Sequence, residues 1–184
     1  MSMLALRDAI VADFTANIAG LAHCGSHPGR LDPDDIAGLG LSRPCVLVGL
    51  LGMAPARGTG TSEQDRDVRT IAYVLCDGTG GAPHDEAAMG FVEAILERLP
   101  DRHWALTNVE PLGSADLLEV ENLSVHTEGH PGVSLWSISW QQTLRLGQDV
   151  FETDGTMPTK IYFGWAPKIG AAHEADYKLV VDNS

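Results

Sequence analysis

Along residues 133–146 (VSLWSISWQQTLRL) large apolar side chains fall on even positions, Trp136, Ile138, Trp140, Leu144 and Leu146, and polar ones on odd positions, Ser137, Ser139, Gln141, Thr143 and Arg145. Successive side chains of an extended chain point to opposite faces, so this period of two predicts a long strand with a core side and a wet side. Gln142 is the one break in the apolar row. Two tryptophans on one face carry more apolar area than a lone strand can hide, so other elements must pack on them.

Helical spacing recurs twice. Between residues 3 and 21, Leu4, Val11, Phe14, Ile18 and Leu21, with Ile10 adjacent, make one apolar stripe that ends near Gly20. Ala88, Phe91, Val92, Ile95, Leu96 and Leu99 make a second within 85–99, stopped by Pro100. The run 44–51 (PCVLVGLL) is too short for a typical helix and predicts a strand buried on both faces; 68–76 (VRTIAYVLC) predicts its hairpin partner. Weaker strand patterns cover 105–111, 117–123 and 160–165. Residues 23–42, rich in Gly, Pro and Asp, predict a connecting loop. Residues 53–67 predict a polar, Gly-rich arm between two strands. Long arms in compact domains commonly serve binding, which makes this one the first candidate for a contact surface. Helices placed first and in the middle, followed by strands, predict an α+β fold: a mainly antiparallel sheet with two amphipathic helices on one face. The predicted domain spans 1–147, and 148–184 is predicted to leave it as an arm.

Composition narrows the roles. With 184 residues and 44% hydrophobic content, one domain is the default. No apolar run reaches the roughly 18 residues of a membrane span, and the N-terminus lacks the basic start of a signal peptide, so a cytoplasmic site of synthesis is expected. The formal charge of −13 opposes broad contact with a phosphate backbone. Three widely spaced cysteines, Cys24, Cys45 and Cys76, predict small buried residues or free thiols, with no disulfide framework and no paired metal site.

Glu121-Asn122-Leu123, the turn through Gly129 to Gly132, and the run from Ser134 to Gly147 resemble the tail-terminator (tail-completion) family of Mu-like phages and prophages. Ala166-Pro167-Lys168-Ile169-Gly170 and His173-Glu174-Ala175-Asp176-Tyr177 are similar to that family's closing segment. The resemblance implies a sheet with helices packed against it, in a structural virion protein assembled in the host cytoplasm. Such a subunit forms a ring of six that caps the tail tube, stops its polymerisation and meets the head-tail connector. The implied partners are other copies of the chain, the tail-tube protein, connector or neck proteins and, as a further candidate, the tail sheath. DNA passes through the ring without tight binding. No catalytic residue, cofactor or metal is implied.

The arms supply the interaction candidates: Met53, Arg57, Thr59, Thr61, Glu63, Asp65 and Arg66 on the first, and Phe151, Tyr162, Trp165 and Tyr177 on the second. Other constellations have plainer accounts. His23, Cys24 and His27 could begin a metal site but offer only three ligands on one loop, where a solvated turn is simpler. Asp77-Gly78-Thr79-Gly80-Gly81 lacks the Gly-Lys-Ser/Thr ending of a phosphate-binding loop. His84 with Asp85 and Glu86, and His126 with Glu128 and His130, lack a neighbouring nucleophile. Trp136 and Trp140 could stack a base or a sugar, though aromatic residues on a core-facing strand serve packing first. The alternatives to a tail terminator are another neck or head-completion joining protein and a small phosphate-binding hydrolase using the Gly-rich turn and His84.

Overall fold

In the computed structural model, which describes residues 2–31, 36, 40–77, 83–124, 133–151 and 160–182, the chain opens with helix α1 (Met3–Asn17). Ser2 caps it by accepting a hydrogen bond from the Ala5 N–H at 3.3 Å. Leu6, Ile10 and Phe14, one turn apart, are its buried residues. The stripe therefore differs from the predicted one: Leu4 is 56% exposed, because it stands off the line of i, i+4 neighbours that the sheet covers. Helix α2 (His84–Arg98) buries Ala88, Val92 and Ile95, begins with Asp85 and Glu86 and ends with Arg98, the charge order that suits the helix dipole. Arg98 reaches back to Asp13 of α1 in a two-pronged ion pair, with one prong at 2.8 Å, and so ties the helices to each other.

Six strands form the main sheet. They are β1 (His23–His27), β2 (Cys45–Met53), β3 (Arg57–Gly58), β4 (Gln64–Asp77), β5 (Leu117–Asn122) and β6 (Val133–Leu146). Their order is β1-β2-β4-β6-β5, with β3 also on β4. Only the β1–β2 pair is parallel. The centre is the β4–β6 pair, in unbroken register from Gln64 beside Leu146 to Asp77 beside Val133. The architecture is α+β with a mainly antiparallel sheet, as expected.

Even-numbered residues of β4 and β6 face both helices. Val68, Ala72, Val74, Ile138, Trp140 and Leu144 share one apolar cluster with Leu6, Ile10 and Phe14 of α1 and Val92 and Ile95 of α2. Each such buried side chain contributes about 1.5–3 kcal/mol. Trp140 has no exposed surface and meets Phe14 and Trp104 at ring distances of 6.5 and 6.4 Å.

Four expectations are corrected. First, residues 23–27 are a strand, β1, rather than loop: HCGSH has no apolar alternation to reveal it, and its pairing to β2 runs through backbone groups. The loop after β1 folds down onto bare backbone at Gly49, where an added Cβ would stand 2.8 Å from the Gly29 carbonyl oxygen. Second, 53–67 is not a free arm throughout; Gln64 to Asp67 extend β4, and Arg57 and Gly58 pair with Asp65 and Gln64. Its polar composition reflects a solvent-facing sheet end. Third, 105–111 is turn, with one bridge between Val109 and Leu144. Gln142 holds it: Nε2 donates to the carbonyls of Arg102 (2.6 Å) and Glu110 (2.7 Å), and Oε1 accepts the Trp104 indole N–H (2.7 Å). The break in the apolar row is thus a buried, fully engaged amide. Fourth, the odd face of the sheet is only partly wet. Leu47, Ile71, Tyr73, Leu75 and Leu135 form a second cluster with Leu31 and Ile36, and the Tyr73 hydroxyl accepts the Leu31 N–H at 3.0 Å.

Contacts divide the chain at Gly147 into Met1–Gly147 and Gln148–Ser184. Gly147 has φ 113°, and an added Cβ there would lie 3.2 Å from Glu63 Cα, so only glycine fits where β6 ends against the 62–63 turn. The second unit holds β7 (Lys160–Phe163) paired antiparallel with β8 (Lys178–Asp182), and a 3-10 turn at Ala171–Asp176 between them.

Candidate functional site

Three surfaces gather the chemistry left over after the core is built. The first is the charged end of the sheet. Strand alternation puts Asp65 and Asp67 of β4 on the same face as Thr143 and Arg145 of β6, their register partners. Arg145 grips Asp65 with bonds of 2.7 and 2.9 Å, and Arg57 grips Asp67, one bond at 2.7 Å, while Thr143 Oγ1 donates to Asp67 at 2.8 Å. The hydrogen bond from Arg145 is the main cause holding the Asp65 carboxyl below the ordinary range, and that from Arg57 does the same for Asp67. Thr59, Thr61 and Glu63 close the turn among themselves, with Thr59 and Thr61 hydroxyls 2.6 Å apart and Thr61 donating to Glu63 at 3.0 Å. Arg66 bonds the Gln64 side chain, and Met53 is half-buried against the helix-side cluster. Of the predicted contact residues in 53–66, then, most are occupied in building a rigid projection, and Met53 is partly core.

The second surface was not foreseen. Toward the middle of the sheet, the odd face changes from charged to small: Ser137 and Ser139 lie beside Tyr73 and Ile71. The small serines leave a groove of about 470 Å³, floored by Ile71 and Tyr73 and walled by Leu118, Glu119 and Glu121 of the edge strand β5. Arg30 and Arg69 stand at its rim. The available signal was the pair of serines opposite large residues, which becomes legible only with the register.

The third surface is the hairpin of the second unit. Phe151 (72%), Tyr162 (54%) and Trp165 (75%), all predicted contact residues, are exposed, together with Ile161, Phe163, Leu179 and Val180. Phe163 and Trp165 meet edge to face at 5.1 Å, and Lys178 is the register partner of Phe163. Tyr177 differs from the others: its ring covers Gly164, where an added Cβ would sit 2.5 Å from Cε1, and its hydroxyl accepts the Gly170 N–H. It positions the turn instead of facing outward.

The smaller constellations do not converge. On β1, Cys24 packs toward the helix-side cluster while the His27 ring lies against Tyr73 on the other face, so the predicted trio is split by strand alternation. Among the described residues no group of three or more His, Cys, Asp or Glu is placed to hold a metal ion. His84, Asp85 and Glu86 occupy the first turn of α2. Gly78 to Gly81, His126, Glu128 and His130 lie outside the described residues. Trp140 is core, and Trp136 is half-buried beside it. Burial pushes the thiols of Cys45 and Cys76 up to about 11. Among the described residues no helix is long and apolar enough to cross a membrane. No protein-family model matches the chain, and no curated protein matches it.

Proposed function

We propose that this chain is a structural subunit of a phage tail, a tail terminator that assembles as a ring of six on the end of the tail tube, halts its growth and offers a new surface to the head-tail connector. The family reading rests on the resemblance of 121–123, 134–147, 166–170 and 173–177 to tail terminators of Mu-like phages. The observation that supports an assembly role is the hairpin β7–β8, whose aromatic side chains are exposed although two short strands cannot bury a core of their own. A hairpin of this kind gains its stability from something it binds.

A tube grows because each ring exposes a face that accepts the next, and growth stops when the last ring binds that face and presents a different one. The rigid charged projection at residues 57–67 and the aromatic hairpin are two chemically unlike surfaces on one subunit, as such an adaptor requires. The charge of −13 suits a ring through which DNA slides, since a like-charged wall does not grip the duplex.

Particles assembled without this chain are the test. Electron microscopy is expected to show tubes of irregular, excessive length and heads without tails; tails of uniform length attached to heads would overturn the reading. A pull-down that captures connector but no tube subunit would move the chain to another neck joining protein. Tight, salt-sensitive binding of double-stranded DNA by the purified protein would contradict the repulsive bore.

A further inference from the structure

We propose that residues 103–110 form a strap that lifts as a unit from the edge of β6, on a neck that stays closed, while the rest of the sheet remains in place. The proposal lies wholly within Met1–Gly147 and does not depend on the reading of the chain as a tail subunit.

The neck is the first observation. The Asp101 N–H donates to the Leu112 carbonyl at 2.9 Å, and the Leu112 N–H donates to the Arg102 carbonyl at 3.1 Å. A loop whose two ends are tied to each other moves without pulling on the elements it joins, here α2 and the 3-10 turn Ser114–Asp116 that leads into β5. The second observation is what the strap covers. β4 pairs with β6 along its whole length on one side, whereas β5 pairs with it on the other only between Trp136 and Trp140. Past Trp140 the strap supplies the pairing: the Glu110 N–H donates to the Thr143 carbonyl at 3.0 Å and the Arg145 N–H to the Asn108 carbonyl at 2.8 Å. Gln142 adds its bonds to the Trp104 indole and the Glu110 carbonyl.

The third observation is strain. Trp104 and Ala105 both have φ 57°, and Asp101 at the neck has φ 58°. Among the described residues outside this stretch, Ser62 is the one other non-glycine residue with a positive φ. An L side chain is crowded in that region, so the closed strap stores strain at Trp104 and Ala105 that lifting releases. The Trp104 ring opposes it, packed edge to face on Phe14 at 5.7 Å and tilted against Trp140 at 6.4 Å. On the α1 side a cleft of about 390 Å³ opens between the strap and the short side chains of Ala9 and Ala12, so the helix does not wedge the strap shut. An anchor working against strain makes a two-position device. Closed, Trp104 completes the core; lifted, the edge of β6 is bared at Thr143 and Arg145, which makes the strap a releasable cover for a strand edge.

Hydrogen exchange on the full chain, read residue by residue by NMR, tests it. The Glu110 and Arg145 amides and the Trp104 indole N–H are expected to share one opening equilibrium, about tenfold or more in excess of that for N–H groups bonded between β4 and β6 at the sheet centre. The Asp101 and Leu112 amides keep the protection of the neck. Ala105 is exposed, so substitution there acts on the backbone. Ala105→Gly relieves the crowding and is expected to slow the three exchanging groups together by about threefold or more. Ala105→Val, with a branched side chain at the same φ, is expected to quicken them together. Exchange of the three groups only at the rate of the sheet centre overturns the proposal, because the strap then opens only when the whole unit unfolds. Early exchange that differs among the three, or that Ala105→Gly leaves unchanged, overturns it as well, since that is fraying without a strained unit.

Discussion

Trp140 has no exposed surface and packs against Phe14 and Trp104, whereas Trp165 keeps 75% of its surface exposed beside Phe163. The two side chains belong to two units built on different principles. In Met1–Gly147 a central strand pair is covered by two helices on one face and by Leu31 and Ile36 on part of the other, so apolar residues are enclosed, and the buried amide of Gln142 is engaged by hydrogen bonds. In Gln148–Ser184 two strands and a 3-10 turn leave their apolar side chains, Ile161, Phe163, Trp165, Leu179 and Val180 among the described residues, exposed. The difference is one of enclosure: the first unit covers its apolar side chains, and the second leaves its described ones exposed.

Trp140→Ala is the sharpest way to break this comparison. It is expected to cost about 3–5 kcal/mol of unfolding free energy in urea, while Trp165→Ala changes stability by no more than about 0.5 kcal/mol. Equal losses would show that the hairpin shares the main core. Gln142→Leu comes next. It leaves the Trp104 N–H and the carbonyls of Arg102 and Glu110 without their partner, and each buried orphan costs about 1–3 kcal/mol. Amide exchange is expected to quicken through 101–112 and to stay unchanged in β8.

A smaller, local effect is expected in acid. The Asp65 and Asp67 carboxyls are held below the ordinary value near 4 by Arg145 and Arg57. A depressed carboxylate stabilises the fold above its unfolded pKa, and that contribution is lost as pH falls through the depressed folded value. Exchange in β3 and the first residues of β4 should therefore rise below about pH 4, before the centre of the sheet responds, and Arg145→Gln should remove the part of that rise that Asp65 contributes. No acid sensitivity at that end would mean the forked pairs are not formed in solution. The mildest test is chemical. With thiols pushed up to about 11, Cys45 and Cys76 are expected to react slowly with a disulfide reagent at neutral pH and at full rate once the chain is unfolded; fast reaction at these two positions in the native protein would contradict their enclosure, Cys45 in the second cluster and Cys76 in the helix-side one.

Where side chains report burial directly, the elements were legible. The alternation of 133–146, the stripe of 85–99 and the apolar run after Pro44 each reappear as β6, α2 and β2 within a few residues. Failures came where backbone or distant partners decide. HCGSH is a strand because β2 offers it a free edge. The charges of 64–67 look like loop composition, yet β4 continues there because Arg145 and Thr143 of β6 pair with Asp65 and Asp67 across the register. The candidate contact residues divide the same way: Phe151, Tyr162 and Trp165 are exposed, whereas Asp65, Met53 and Tyr177 are spent on structure.

Periodicity alone determined that this chain has an α+β core with one strand dominating it, because a repeat of two or of 3.6 states which face must leave water, whatever the partner. Only the tertiary structure decided what Gln142 does, that the odd face carries its own apolar cluster, and that a groove opens beside β5. Those features are relations between residues far apart in sequence, set by strand register, and no local pattern encodes a register before the strands have met.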